Sequence, residues 1–169
     1  MKNNIMRKID IEKVTLNCGT GIEKEKLEKS VKLLQIISGK KPIRIETTKR
    51  IPGFNVRPGL EIGCKVTIRN EGAKELLKRL LESIGNKLKK KQITPGTFAF
   101  GIKEYLQIPG IAYQRDIGML GLEVCVTLTR AGYNVKDKKI KRGKLPQRQR
   151  ITKEETIKFI EDNFKIEIQ

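Results

Sequence analysis

Alternating apolar and polar positions mark the first strand of this chain. Residues 9–18 read "IDIEKVTLNC", with Ile9 and Ile11 and then Val14, Leu16 and Cys18 at every second position. This spacing is typical of a strand that buries one of its faces. The phase shifts between Ile11 and Val14, which predicts either a β-bulge or a strand that begins only at Glu12.

Four later segments show the same alternation: "PIRIETTKR", "EIGCKVTIRN", "TFAFGIK" and "GLEVCVTLTR". We expect Ile43 and Ile45 to face the core from the first of them, with Arg44, Glu46 and Thr48 on the other side. In the second and fourth segments the apolar residues again alternate with polar ones. The predicted core positions are Ile62, Cys64, Val66, Ile68, Val124, Val126 and Leu128.

Three segments have helical periodicity instead. The first carries Leu27, Val31, Leu34 and Ile37 and precedes Gly39, a suitable residue for ending a helix. The second, residues 71–91, has one broad apolar face and should form a long helix that includes Leu88. The third follows Thr152, which with Glu155 forms the pattern of a capping box and directs Ile157, Ile160 and Phe164 inward.

The predicted fold is therefore α+β, with a single antiparallel or mixed sheet of about five strands and helices packed on one face. The other face should remain open. We expect residues 1–133 to form this domain, residues 134–150 to form a basic arm, and residues 151–169 to pack a C-terminal helix on the same domain. The open face would carry Asn17, Thr48, Lys65, Thr67 and Arg69.

Charge narrows the class of partner. The 37 Lys and Arg residues exceed the 19 Asp and Glu residues by enough to give a formal net charge of +18. Such a surplus favours a polyanionic partner, with nucleic acid first and an anionic membrane second. The chain has no apolar run near the ~20 residues that span a bilayer. We therefore expect a cytoplasmic protein with no membrane partner.

The basic arm concentrates this charge. Residues 134–150 contain eight Lys or Arg residues, one Asp and almost no apolar residues. A segment of this composition cannot bury enough surface to order itself, so we expect an extended arm that binds phosphate. The residues predicted to contact RNA are Lys138, Lys139, Lys141, Arg142, Lys144, Arg148 and Arg150.

The stretch "KRIPGFNVRPGLEIG" forms a long loop between two predicted strands. It places Phe54, one of only five phenylalanines, between Arg50 and Arg57 among prolines and glycines. Such a loop could present Phe54 at its tip, for stacking on bases beside phosphate contacts. Alternatively, Phe54 could fold back onto the core as an anchor. The sequence leaves both interpretations open.

Catalytic and metal chemistry find little support in the composition. The chain has no histidine, which removes the commonest general base. Cys18, Cys64 and Cys125 are far apart and odd in number, so we expect buried thiols without a disulfide framework or a zinc site. We expect no cofactor and no metal. The alternative function, an RNA-modifying or RNA-remodelling enzyme, would need a cofactor loop or an acid–base pair that the sequence does not display.

Several of these motifs, taken in order, resemble one known family. They are "VTLNCGTG", "SGKKPIRIETTKRIPGFNVRPGLEIGCKVTIR", "FAFGIKEYLQIPGIAY", "DIGMLGLEVCVTLTR" and "RITKEETIKFI". Together they resemble the universal L-five family of large-subunit ribosomal proteins, from about residue 10 to the C-terminus. The basic arm followed by "RITKEETIKF" is similar to the archaeal and eukaryotic branch. The chain departs from the family pattern at Lys40, where glutamine is usual.

The resemblance implies a structural component of the large ribosomal subunit with no catalysis of its own. It implies binding to 5S rRNA, attachment of that RNA to the large rRNA in the central protuberance, and neighbouring proteins there and at the small-subunit bridge. The loop residues Arg50, Phe54, Asn55 and Arg57 would face the peptidyl-site tRNA, and the arm would contact other rRNA. The implied 5S rRNA contacts are Asn17, Lys40, Thr47, Thr48, Lys65, Thr67 and Arg69.

Overall fold

The computed structural model describes residues 4–168 and has an α+β fold built on one six-stranded sheet. Its strands are β1 (Ile9–Gly19), β2 (Ile43–Glu46), β3 (Glu61–Ile68), β5 (Ile93–Thr94), β6 (Thr97–Ile102) and β7 (Leu122–Arg130). All neighbouring strands are antiparallel, in the order β2-β3-β1-β7-β6-β5. The short strands β4 (Lys87–Leu88) and β8 (Glu167–Ile168) pair separately. The predicted fold class is confirmed.

The register explains why one face of the sheet is buried. Val14 lies opposite Ile68 on β3 and Val126 on β7, and Val126 in turn lies opposite Phe98 on β6. Directly opposed residues share a face, so the apolar positions of four strands form continuous rows. All four of these side chains are buried. The predicted alternation in β1, β3 and β7 is confirmed.

Within residues 4–168, four helices accompany the sheet: α1 (Lys24–Ser38), α2 (Glu71–Glu82), α3 (Asn134–Asp137) and α4 (Lys153–Phe164). α1 ends at Gly39, whose φ of 64° is left-handed. α4 begins with the predicted capping box, in which the Thr152 side chain and the Glu155 side chain each accept a backbone N–H of the other residue. Such caps stabilise a helix by about 1 kcal/mol.

The irregularity predicted in β1 is also present. The pairing between β1 and β7 shifts between Ile11 and Lys13, and β1 already begins at Ile9. The β-bulge is therefore the correct alternative, because the strand continues through the shift in phase. Ile11 and Val14 are both buried as a result.

The second helix is shorter than predicted. α2 ends at Glu82, and Gly85 and Asn86 then adopt positive φ values of 66° and 54°. These left-handed residues turn the chain, so Leu88 does not lie on the helix. It belongs to β4, which pairs in parallel with β8. The expectation of one helix over residues 71–91 was wrong.

The orientation of β2 also differs from the expectation. Ile43 lies opposite Lys65, and its side chain is 66% exposed. The Ile43 and Ile45 positions therefore share the uncovered face with Lys65 rather than the core face. β2 is an edge strand of four residues, and its pairing with β3 decides which set of side chains faces the helices.

Candidate nucleic-acid interface

Directly opposed residues form polar rows across the uncovered face of the sheet. One row runs from Gly101 through Glu123, Asn17 and Lys65 to Ile43. The next row consists of Ala99, Cys125, Thr15 and Thr67. All nine residues are exposed or half-buried, so no helix or loop covers this side of the strands. We call this surface the open face; it brings together Asn17, Lys65 and Thr67 among the predicted contacts.

Small residues make one end of the open face almost bare backbone. Gly19 lies opposite Gly63, and Gly101 lies opposite Glu123. A Cβ on Gly63 would come within 2.7 Å of the Cys18 carbonyl oxygen, so the strands at this point require glycine. A ligand can therefore approach the surface of the sheet closely at Gly19 and Gly101, which are exposed, whereas Gly63 is buried.

Charged side chains follow the polar rows. Lys65 is exposed in the centre of β3, and Lys13 lies opposite Thr127 on β7. Arg69 follows the end of β3 and pairs with Glu12, with 3.4 Å between the guanidinium and carboxylate atoms. The Asn17 amide donates a hydrogen bond of 3.2 Å to Glu123. These exposed groups can exchange their partners for RNA phosphates and bases at low cost.

The loop of residues 47–60 forms a small hairpin. Ile51 and Val56 exchange two backbone hydrogen bonds of 2.9 and 3.1 Å. A 3₁₀ turn at Pro52–Phe54 and a left-handed Asn55, with φ 53°, close the hairpin. The Phe54 side chain is 73% exposed, whereas Val56 is only 8% exposed. Phe54 is therefore at the tip, and the interpretation of this residue as a core anchor was wrong.

Thr47 fastens the base of this hairpin. Its hydroxyl donates to the Arg57 carbonyl at 2.6 Å and lies 3.3 Å from the Leu60 carbonyl. Its backbone N–H donates to Leu60, and its carbonyl accepts from Gly59. These contacts join the two ends of the loop next to the sheet. The structure thus gives Thr47 a positioning contact that sequence reasoning did not foresee.

Besides Thr47 and Arg69, two more of the predicted contacts lie outside the strands. β2 ends at Glu46, so Thr48 lies on the loop and not on the open face as expected. Lys40 lies in the turn between α1 and β2, where its backbone N–H donates to Ser38. Both residues are exposed. The alternation in "RIETT" continued past the end of the strand, which explains why Thr48 was assigned to the face.

The basic arm is fastened at both ends. At its start, the Tyr133 hydroxyl donates to the Gln149 carbonyl at 3.0 Å and accepts from the Ile151 N–H at 2.8 Å. At its end, the Arg130 guanidinium lies 3.4 Å from the carbonyls of Gln149 and Arg150. Residues 138–142 between these contacts are exposed. The arm is thus a closed loop and not the extended segment expected.

Arg130 is a buried cation with a complete set of partners. Its side chain is 4% exposed and lies 2.7 Å from the Glu155 carboxylate. Burial tends to raise the pKa of Glu155, but the Thr152 N–H and the Arg130 guanidinium outweigh it and hold that pKa below its usual value. The pair ties the end of β7 to the start of α4.

The three cysteines differ in their burial. Cys18 and Cys64 lie opposite each other and are buried, whereas Cys125 is exposed on the open face, contrary to the expectation of three buried thiols. The facing Cys64 thiol and burial raise the pKa of Cys18, which keeps it a poor nucleophile. Residues 4–168 contain no cluster of three potential metal ligands and no helix suited to crossing a bilayer.

Sequence reasoning missed several residues of the open face. Lys13, Thr15, Ala99 and Glu123 all lie on it, as does Cys125. The period-two alternation was a sufficient signal for Thr15 and Glu123, since both flank core positions in strands that were recognised. Ala99 and Cys125 gave no such signal, because small apolar residues fit either face of a sheet.

Comparison with known proteins identifies the family. Residues 4–57 match the family model described as Ribosomal protein L5, and residues 61–159 match the model for the C-terminus of the same ribosomal protein family. Similar proteins, each named large ribosomal subunit protein uL5, come from three archaea. They are those of Nanoarchaeum equitans (46% identical, covering 96% of this chain and 97% of that protein), Sulfolobus acidocaldarius (40%, 99% and 94%) and Methanosphaera stadtmanae (38%, 98% and 99%).

These matches extend over both the sheet and the arm, and the two family models together leave few residues of the fold uncovered. The resemblance predicted from the sequence motifs is confirmed. The chain belongs to the L5 family of large-subunit ribosomal proteins.

Proposed function

We propose that this protein binds 5S rRNA through its open face and contacts the peptidyl-site tRNA through the hairpin of residues 47–60. Membership of the family makes it a ribosomal protein of the large subunit, which works with rRNA in the cytoplasm. It attaches the 5S rRNA to the large rRNA in the central protuberance, beside other proteins of that region. The enzyme alternative is set aside, because proteins of this family are ribosomal components and not enzymes.

The observation that carries the proposal is the open face itself. An antiparallel sheet commonly packs one face on the core and leaves the other to solvent, so the composition of that second face is what matters here. Here the exposed rows combine small residues, hydroxyls and an amide with the cation Lys65, the carboxylate Glu123 and, at the edge, Ile43. Such a surface fits the wide, shallow minor groove of an RNA helix, where 2′-hydroxyls and phosphates are the available contacts.

The hairpin supports the second contact. Phe54 is a large exposed aromatic at the end of a loop that backbone hydrogen bonds close into a hairpin. Arg50 and Arg57, which flank it, are also exposed. Stacking on an aromatic ring stabilises an RNA base by roughly 1–3 kcal/mol, and flanking arginines bind the adjacent phosphates. The exposed cations of the arm are available for the large rRNA.

The direct test is binding of the purified protein to 5S rRNA as salt is varied. We expect affinity to fall by roughly 10³-fold between about 50 mM and about 200 mM salt, the loss typical of several phosphate contacts. Deleting residues 52–58 should leave this binding intact and weaken the retention of peptidyl-site tRNA on ribosomes that carry the variant. An affinity for 5S rRNA that does not change with salt would contradict the contact with that RNA. Normal retention of the tRNA by the deletion variant would contradict the contact between the hairpin and the tRNA.

A further inference from the structure

A hollow of about 440 Å³ lies where the arm meets the edge of the sheet. The turn at Pro95 and Gly96 forms one wall, and the arm forms the other. Pro95 and Leu145 contribute accessible apolar surface to it, and the buried residues Leu128, Tyr133 and Ile151 lie behind them. Four cationic side chains line the hollow: Lys136, Arg142, Lys144 and Arg150. Among its lining residues, all in the described part of the chain, none is acidic.

Four cations around one hollow repel each other unless an anion lies among them. The arm nevertheless holds them there. The Arg142 Nε donates to the Lys136 carbonyl, and Gly143 donates to the Val135 carbonyl at 3.1 Å. The Lys136 ammonium lies 5.0 Å from the centre of the Tyr133 ring, which also lines the hollow, and this cation–π contact favours that position. The arrangement suits a bound phosphate.

The hollow is continuous with the open face. Thr97 and Thr127 lie opposite each other on β6 and β7, and both line the hollow. Thr127 also lies opposite Lys13 of β1, on the open face. A single RNA strand can therefore pass from the rows of the sheet into the hollow without leaving the protein surface.

From this continuity we infer that the hollow binds a phosphodiester of the same RNA that lies on the open face. Lys136, Arg142, Lys144 and Arg150 are its phosphate ligands, and the apolar wall accommodates the adjoining ribose or base. This inference rests on the proposed binding of 5S rRNA. It divides the arm into two sets: these cations line the hollow, whereas Lys138, Lys139 and Lys141, which do not line it, remain available for the large rRNA.

The test compares two variants of equal net charge. One replaces the four cations of the hollow with glutamine, and the control replaces Lys24, Lys26, Lys29 and Lys32 of α1, which are exposed, in the same way. We expect the first to bind 5S rRNA at least about tenfold more weakly than the control, with a salt slope smaller by roughly one unit for each phosphate ligand removed. Equal affinities of the two variants would overturn the inference.

A charge-neutral variant gives a second test, with thermal unfolding as the control for folding. A Cβ on Gly143 would meet the Val135 side chain at 2.7 Å, so Gly143→Val should displace the arm and weaken binding at unchanged net charge. Hydroxyl-radical footprints on 5S rRNA should lose protection beside the nucleotides that Lys65 and Arg69 protect. If the four-glutamine variant gave the same footprints on 5S rRNA as the unaltered protein, the phosphate site in the hollow would be refuted, but the proposed binding of 5S rRNA would not. Failure of the unaltered protein to bind 5S rRNA would overturn the proposed function with it.

Discussion

Asn17 and Glu123 lie opposite each other on β1 and β7, joined by a hydrogen bond of 3.2 Å from the amide to the carboxylate. On its other side Asn17 lies opposite Lys65. The central row of the open face thus runs from a cation through an amide to an anion. A carboxylate in this position repels phosphate, and the bond to Asn17 fixes the direction of the amide group.

Removing that carboxylate should strengthen RNA binding. We expect Glu123→Gln to raise affinity for 5S rRNA roughly two- to fivefold, up to about 1 kcal/mol, because one like charge leaves the surface. Glu28→Gln, at an exposed position on α1, makes the same charge change away from the open face and serves as the control. Weaker binding by Glu123→Gln would indicate that the carboxylate accepts a hydrogen bond from a base, contrary to the repulsion argued here.

The hairpin offers a matched pair of substitutions. Phe54→Ala should change the free energy of unfolding by less than about 0.5 kcal/mol, since the side chain is 73% exposed. Val56→Ala removes a buried side chain and should cost about 1–2 kcal/mol. Denaturant unfolding of both variants provides the measurement. If Phe54→Ala were as destabilising as Val56→Ala, Phe54 would be packed and not at the tip.

The Arg130–Glu155 pair should make stability depend on pH. Because the folded state holds the pKa of Glu155 below its ordinary 4.5, the stabilisation is complete above that pH and is lost as pH falls through the lowered value. The difference in unfolding free energy between the unaltered protein and Glu155→Gln should therefore shrink in acid.

Denaturant unfolding at about pH 7 and about pH 3 measures this difference. Glu161→Gln changes an exposed glutamate on the same helix and is the matched control. A difference for Glu155→Gln that grows toward low pH would show that the carboxylate is not held ionised by Arg130.

The arm should differ in mobility along its length. The Ile151 N–H donates to a buried tyrosine, so its hydrogen exchange should be slow in the free protein. Residues 138–142 are exposed and should exchange quickly until RNA binds. Exchange measured with and without 5S rRNA and large-subunit rRNA checks both statements. Equally slow exchange of residues 138–142 and Ile151 in the free protein would contradict this account.

The open face was predictable because strand alternation is a local signal. Once Val66 faces the core, Lys65 and Thr67 must face the other way. The orientation of β2 was not predictable in this way. Its alternation allows either face to be inward, and only the pairing of Ile43 with Lys65 decides between them.

Contacts distant in sequence explain the other differences. Leu88 leaves the helical pattern because β4 pairs with β8, which lies near the far end of the chain. The composition of the arm correctly indicated exposed cations, but Arg130 and Tyr133, which fasten it, belong to the preceding strand and turn. Lys136 was likewise missed, since only the fold brings it to the hollow beside Thr97.

Charge reversal on the two sides of the sheet tests most directly whether 5S rRNA binds through the open face. Lys65→Glu with Arg69→Glu alters the open face, and Lys29→Glu with Lys32→Glu makes the same net change on α1. Affinity for 5S rRNA, measured at one fixed salt concentration, should fall at least roughly tenfold further for the first pair, because its positions oppose the RNA phosphates. Equal losses for the two pairs would contradict binding through the open face.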